Sequence, residues 1–282
     1  MLRGPPPPGR AALVQRGPVT GMCGRFAFYQ EIDPLLDDLG AVDLTDPHMR
    51  ARFNVPPTAP IVVVTESLDR DSGEVLRAAR TARWGLLPPF AKDLSFSART
   101  FNARRETLRE KPSFRGSLGR YRAIVPMDGY YEWRRDSRGR RSKQPFLVAR
   151  RDGAPLLMAA LVSWWRLDGT DASRVPPSVP LPGTSEDGRW LLTATIITRE
   201  ATGTLADLHD RAPVMLDREH VDAWLSTDMD DAAAAQAWIL DDDHLLDPTL
   251  LEMRPVDPAV GDVRQQGPEL IAPIGPAIPV TA

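Results

Sequence analysis

Cysteine is nearly absent from this chain, with one residue, Cys23, in 282. A lone thiol excludes an internal disulfide and any cysteine-rich zinc site. The four histidines, at 48, 209, 220 and 244, are too scattered to read as a metal cluster. No apolar run approaches the roughly 20 residues that a membrane helix needs. A large net charge is also missing. Lys and Arg number 35 against 38 Asp and Glu, net −3, which excludes a chain that is basic throughout. What is present is ordinary globular composition, 42% hydrophobic and 26% charged, enough for a sizeable core. The 28 prolines, gathered in loops and tails, point away from a mostly helical protein.

The near-zero net charge conceals an asymmetry. Between Ser97 and Arg151 there are 16 Lys and Arg against 5 Asp and Glu, net +11, and the remainder carries 19 against 33, net −14. Such a block is either a solvated face or a phosphate-binding surface. Residues 1–21 form a proline-rich stretch without acidic residues or apolar periodicity, and read as a disordered extension. It is not a signal peptide. Its only apolar stretch, Ala11 to Val14, falls short of an h-region of about 7–15 residues. Apolar spacing predicts helices over 30–39, 219–225 and 230–240, and a polar helical turn over 103–110 that ends before Pro112. Strands are predicted at 61–64, 123–125, 130–134, 145–151, 156–165 and 190–198, with an exposed loop between Trp165 and Trp190. Strands that follow one another without regular helix alternation predict an antiparallel α+β fold.

Cys23 sits in Met22-Cys23-Gly24-Arg25-Phe26. It is either a small buried hydrophobe or, if translation starts at Met22 and that residue is removed, an N-terminal cysteine. An N-terminal cysteine offers an α-amine with a reference pKa of about 7.7–8.0 beside its thiol. The amine can capture an aldehyde as a Schiff base, and the thiol can then close a thiazolidine ring, whereas an internal cysteine offers thiolate chemistry alone. Asn102, at the head of Asn102-Ala103-Arg104-Arg105-Glu106-Thr107, is a helix cap or a positioned amide, and Arg104 and Arg115 are surface charge or phosphate clamps. Glu132, among Tyr130, Tyr131 and Trp133, faces solvent or an apolar pocket where it would serve as a general acid or base. His209, in His209-Asp210-Arg211-Ala212-Pro213, is structural or a titrating acid. Trp84 offers a ring on which a base could stack.

In this order the motifs resemble the SOS-response-associated peptidase (SRAP) family. They are Met22 to Phe26, Arg52 to Pro57, Trp84-Gly85, Asn102 to Thr107, Glu132-Trp133 and His209 to Pro213. Arg254-Pro255-Val256, Val260 to Val263 and Gly267 to Ile271 extend the match along the tail. The resemblance implies a β-rich, antiparallel, barrel-like α+β fold with a few flanking helices, formed by one domain over 22–275 and followed by a tail over 276–282. It implies covalent capture of abasic sites in single-stranded DNA, in a DNA damage response, with Cys23, Asn102, Glu132 and His209 as catalytic residues. DNA contacts fall to Arg25, Asn54, Trp84, Arg104, Arg115 and Arg211. No cofactor and no metal are implied. The chain is expected to be a cytoplasmic monomer that joins the nucleoid when bound to DNA. Phe90 and Ala212 depart from the family pattern, and so does the 21-residue extension. While the extension is attached, the Cys23 amine is an amide, so the resemblance also implies a start at Met22 or self-processing before Cys23. Two other readings stay open: a Cys/His thiol peptidase acting on peptides in trans, and a single-strand-binding protein whose cysteine is incidental.

Overall fold

The computed structural model describes residues 24–282 except 47, 48, 50, 70, 71, 136–140, 168–182, 186 and 187. Cys23, the proline-rich extension, His48 and most of the loop expected between Trp165 and Trp190 lie outside the described residues. The first strands are β1 (Phe26–Phe28), β2 (Val42–Leu44), β3 (Arg52–Val55), β4 (Pro60–Leu68), β5 (Val75–Trp84), β6 (Asn102–Arg104) and β7 (Arg122–Met127). They are followed by β8 (Gly129–Arg135), β9 (Arg141–Arg150), β10 (Leu156–Arg166), β11 (Trp190–Glu200), β12 (Arg211–Pro213), β13 (Leu251–Pro255) and β14 (Ile278–Pro279). The helices are short: α1 (Asp33–Leu39), α2 (Pro112–Leu118), α3 (Gly203–Ala206), α4 (Val221–Leu225) and α5 (Ala232–Leu240).

Five strands close into a barrel in the order β5-β4-β7-β10-β11, because β11 pairs in parallel with β5 as well as antiparallel with β10. Closure buries the inner face of the strands and the helices cover the outer one, which is why Ile61 to Val64 of β4 and Leu156 to Val162 of β10 are continuous apolar runs. Ile61, Val63, Met158, Ala160 and Val162 join one core cluster. Their alternates Val62, Val64, Leu157, Ala159 and Leu161 join another, with Phe114, Leu118, Trp224 and Ile239 of the helices. The two clusters are the inside and the outside of the barrel wall, separated by the period-2 alternation of a strand. A second sheet, in the order β14-β13-β9-β8-β1-β3, contributes Phe26, Tyr130, Val148 and Met253 to the first cluster.

The β-rich, barrel-like α+β expectation holds. The main ladders are antiparallel, and the parallel pairs β2–β5, β5–β11 and β6–β11 lie at the closure. Four predicted details differ. The first helix begins at Asp33 rather than at residue 30. The helical turn expected over 103–110 starts instead as β6, which pairs with β11, and only one 3₁₀ turn, Arg105–Thr107, follows. Pro112 opens α2 rather than closing a segment, since a missing N–H costs nothing in a first turn. β5 lacks strand signal because alanine and arginine dominate it. Its buried Ala78, Ala79 and Ala82 are small where the sheet packs tightly on both sides.

Arg122 fastens the helical layer to the barrel. This buried side chain donates to the carbonyls of Leu118 (3.2 Å), Gly119 (2.8 Å), Trp224 (2.7 Å) and Ser226 (2.6 Å). Trp224 Nε1 returns a bond to the Ala123 carbonyl at 2.9 Å. Arg122→Leu leaves the carbonyl ends of α2 and α4 without these donors. It is expected to cost about 3 kcal/mol in urea unfolding, and a loss below about 1 kcal/mol would show that the clamp is not structural.

Candidate functional site

The site is organised around the start of β1. Phe26 pairs with Tyr130, Ala27 pairs with Gly129, and the Tyr131 N–H donates to the Arg25 carbonyl at 2.9 Å. Gly24 stands two residues before Phe26, and Glu132 two residues beyond Tyr130. Cys23 lies outside the described residues. Glu132 is buried on β8, opposite Phe146 of β9, and its carboxylate accepts from the N–H of Trp133 at 3.2 Å. On its other edge β1 pairs with β3, Phe26 with Val55.

A relay of rings joins this segment to Asn102. Phe26 meets the edge of Trp84 at 5.1 Å between centroids, and Trp84 meets Phe101 at 5.8 Å. Trp84 Nε1 donates to the Phe101 carbonyl at 2.8 Å. Gly85 then turns with φ +135°, and a Cβ there would overlap the Ser97 carbonyl, so the Trp-Gly pair is a packing requirement. Asn102 follows Phe101 and begins β6 opposite Ile196 of β11.

His209 closes the connection from β11 to β12. Ala201 N–H donates to the Asp210 carbonyl at 3.0 Å, and Leu205 and Leu208 are buried beneath. The connection begins at Gly203 (φ +53°), where a Cβ would overlap the Thr281 carbonyl. The buried His209 ring presents Nδ1 to the Arg211 N–H at 3.0 Å and to the Asp210 carboxylate at 2.8 Å. One Nδ1 cannot serve both. Nδ1 accepts from Arg211 when the proton sits on Nε2, and donates to Asp210 when Nδ1 itself carries a proton, in the neutral Nδ1–H tautomer or the charged ring. Arg211 in turn grips Glu106 with two bonds of 3.0 and 2.8 Å and donates to the Thr198 carbonyl at 2.8 Å. Burial pushes the Glu106 carboxyl up, but the Arg211 hydrogen bonds hold it below its usual value overall.

Phe26, Trp84, Phe101, Tyr130 and Leu208 belong to one core cluster. Asn102 and His209 directly follow Phe101 and Leu208, and Glu132 stands two positions beyond Tyr130. The expected DNA contacts divide. Arg104 and Arg115 are exposed. Trp84 is 1% exposed with both ring edges packed, so the expected base stacking on it does not hold. Asn54 is wholly buried, and its Nδ2 faces the carbonyls of Val260, Asp262 and Gln265 at 3.0–3.2 Å. It ties the fold together and presents nothing to a strand. Arg25 is half-buried and donates to Asn54 Oδ1 and the Val260 carbonyl, both at 2.8 Å. Arg211 is mostly enclosed, its fork committed to Glu106 and Thr198. Glu106, Asp210 and Thr198 were missed as site residues. Glu106 and Arg211 stand 105 positions apart, and no local pattern pairs them.

Among the described residues no group of three or more His, Cys, Asp or Glu is placed to hold a metal ion, and no helix is long and apolar enough to cross a membrane. A cavity of about 650 Å³ lies apart from these residues, between α1 and the far end of β1.

The fold resembles that of a protein from Bacteroides thetaiotaomicron, with a TM-score of 0.63 over 89% of this chain and 98% of that one at 18% identity. Three curated relatives are named abasic site processing proteins. YoaM of Bacillus subtilis is 33% identical, covering 73% of this chain and 79% of the relative. YoqW of the same organism is 30% identical, covering 89% and 99%. YedK of Escherichia coli is 28% identical, covering 90% and 100%. The family model described as SOS response associated peptidase (SRAP) matches residues 22–263, and this chain belongs to that family.

Proposed function

We propose that this chain processes abasic sites by capturing them covalently, in single-stranded DNA, through an N-terminal Cys23. The observation that supports the reading is that β1, which begins three residues after the chain's one cysteine, pairs with β8 two residues before the buried Glu132. The names of the relatives point to the same lesion, and the family match begins at residue 22.

An abasic deoxyribose is mostly a closed hemiacetal. His209 donates a proton to the ring oxygen, the C1′–O4′ bond breaks, and the C1′ hydroxyl releases its proton, leaving an aldehyde. The Cys23 α-amine, oriented by Asn102, adds to C1′ and forms a carbinolamine. Glu132 moves the protons that let water leave, and an imine results. The thiol then adds across the C=N bond, its sulfur bonding C1′ and its proton passing to nitrogen. The resulting thiazolidine has no imine left to promote strand cleavage by β-elimination. A buried carboxyl suits repeated proton transfer. The two exposed arginines, with Arg109 and Lys111 nearby, supply phosphate contacts.

A free α-amine requires that nothing precede Cys23. A chain started at Met22, with that residue removed, meets this condition. So does hydrolysis of the Met22–Cys23 bond, which is the peptidase activity suggested by the family description.

Incubation of protein started at Met22 with single-stranded DNA holding one abasic site is expected to give a shifted band on a denaturing gel. The 282-residue form is expected to match it only where intact mass shows cleavage before Cys23. Cys23→Ala keeps an amine but no thiol, so its adduct should survive denaturation only after borohydride reduction. A stable band from that variant without reductant would sink the thiazolidine.

Binding to undamaged single strands should weaken with salt. With Arg104 and Arg115 each meeting a phosphate, the log–log slope is about −1.4 or steeper, and Arg104→Ala reduces it by about 0.7. A flat dependence would refute the basic-groove assignment.

A further inference from the structure

The barrel has a second end. Register places Trp84, Ile61, Val125 and Ile196 toward the candidate site, and Arg80, Thr65, Tyr121, Trp164 and Trp190 at the opposite mouth. This mouth holds a cavity of about 500 Å³, within the range of about 300–1,000 Å³ usual for small-molecule sites. Val162 and Leu192, both buried, lie in its wall.

Two features set the mouth apart. The first is its rings. The exposed large aromatics among the described residues are Phe90, Tyr121, Trp164 and Trp190, and the last three stand here, at 45%, 37% and 39% exposure. Trp164 pairs with Leu192 and Arg166 with Trp190, so the two indoles are diagonal neighbours on one face. A fold that buries Trp84, Trp133, Trp165 and Trp224 leaves these two in solvent.

The second is uncompensated positive charge. Glu66 is paired with Arg77 at 3.0 Å. Asp230 faces the charge of Arg122, whose donors are spent on carbonyls. Arg80 and Arg120 remain. Arg80 is half-buried in the cavity wall, with no side-chain hydrogen bond or ion pair among the described residues. Burial lowers its pKa, and no carboxylate offsets that cost. A partly desolvated guanidinium beside exposed indoles suits a ligand that brings a phosphate and a flat ring together.

We infer that the open barrel mouth is a second binding site for a nucleotide unit, its base against Trp164 and Trp190 and its phosphate on Arg80. The unit is either a free nucleotide or part of a single strand. The inference stands apart from the chemistry of Cys23.

Tryptophan fluorescence of the full chain would be titrated with deoxyadenosine monophosphate, with deoxyadenosine, and with an undamaged oligonucleotide of about ten residues. The expected result is saturable quenching by the monophosphate, with the nucleoside about tenfold weaker for lack of the charged contact. Arg80→Gln should weaken the monophosphate by about tenfold and leave the nucleoside unchanged, and Trp164→Leu should remove most of the quenching. An oligonucleotide that binds far tighter than the monophosphate, and is also weakened by Arg80→Gln, identifies the source as a strand. One that binds no tighter identifies free nucleotide. Titrations of both variants that superimpose on the unmodified protein, or no saturable response to any probe, would overturn the inference. Covalent capture of an abasic site by the same variants should stay unchanged, which separates this site from the first.

Discussion

The buried amide of Asn54 anchors the segment on which the candidate site is built. Its Oδ1 accepts from Arg25 of the N-terminal segment, and its Nδ2 faces carbonyls of Val260, Asp262 and Gln265 more than 200 positions away. Arg25 reaches the Val260 carbonyl as well. β1 has only three residues, too few to be stable as an isolated strand. It is held by β3 and β8 at its edges, by Phe26 in the ring relay, and by this amide against the chain's far end. A wholly buried amide stripped of these partners would leave several polar groups unsatisfied, each at about 1–3 kcal/mol. The C-terminal motifs are therefore part of the N-terminal site, which explains why a match to the family runs along nearly the whole chain.

The barrel shows what local sequence pattern can and cannot carry. β4, β7, β10 and β11 were legible because residues buried on both faces must be apolar, and Asp152-Gly153 marked the turn between β9 and β10. β5 was not legible. Its alanines answer to close approach between strands, a property of the partner as much as of the residue. The β5–β11 pairing that closes the barrel joins Trp84 to Ala194, a contact that no local periodicity can announce. The shortest strands, two-residue β14 and three-residue β1, β2, β6 and β12, exist because longer neighbours offer them an edge.

The candidate site was legible as residue types and motifs, and less so as roles. Catalytic candidates announced themselves by rarity, as the one cysteine and one of four histidines. The DNA contacts did not divide by type, because arginine serves interior and surface alike. The +11 block illustrates the division. Arg122 is buried against carbonyls, Arg105 is paired with Asp242, Arg134 lies over the Phe146 ring and Arg150 is paired with Asp152. Arg104, Arg109, Lys111, Arg115 and Arg120 stay exposed. Composition counts both groups equally.

The same division explains the surroundings of His209. Here the Arg211 amide and the Asp210 carboxylate compete for Nδ1. Glu106 pairs with the Arg211 side chain. Arg211 thus acts on the ring through its backbone, while its side chain braces the β6 and β11 segments through Glu106 and Thr198. A residue that looked like a phosphate clamp in the sequence is, in the fold, an amide donor to the His209 ring and a brace between Glu106 and Thr198.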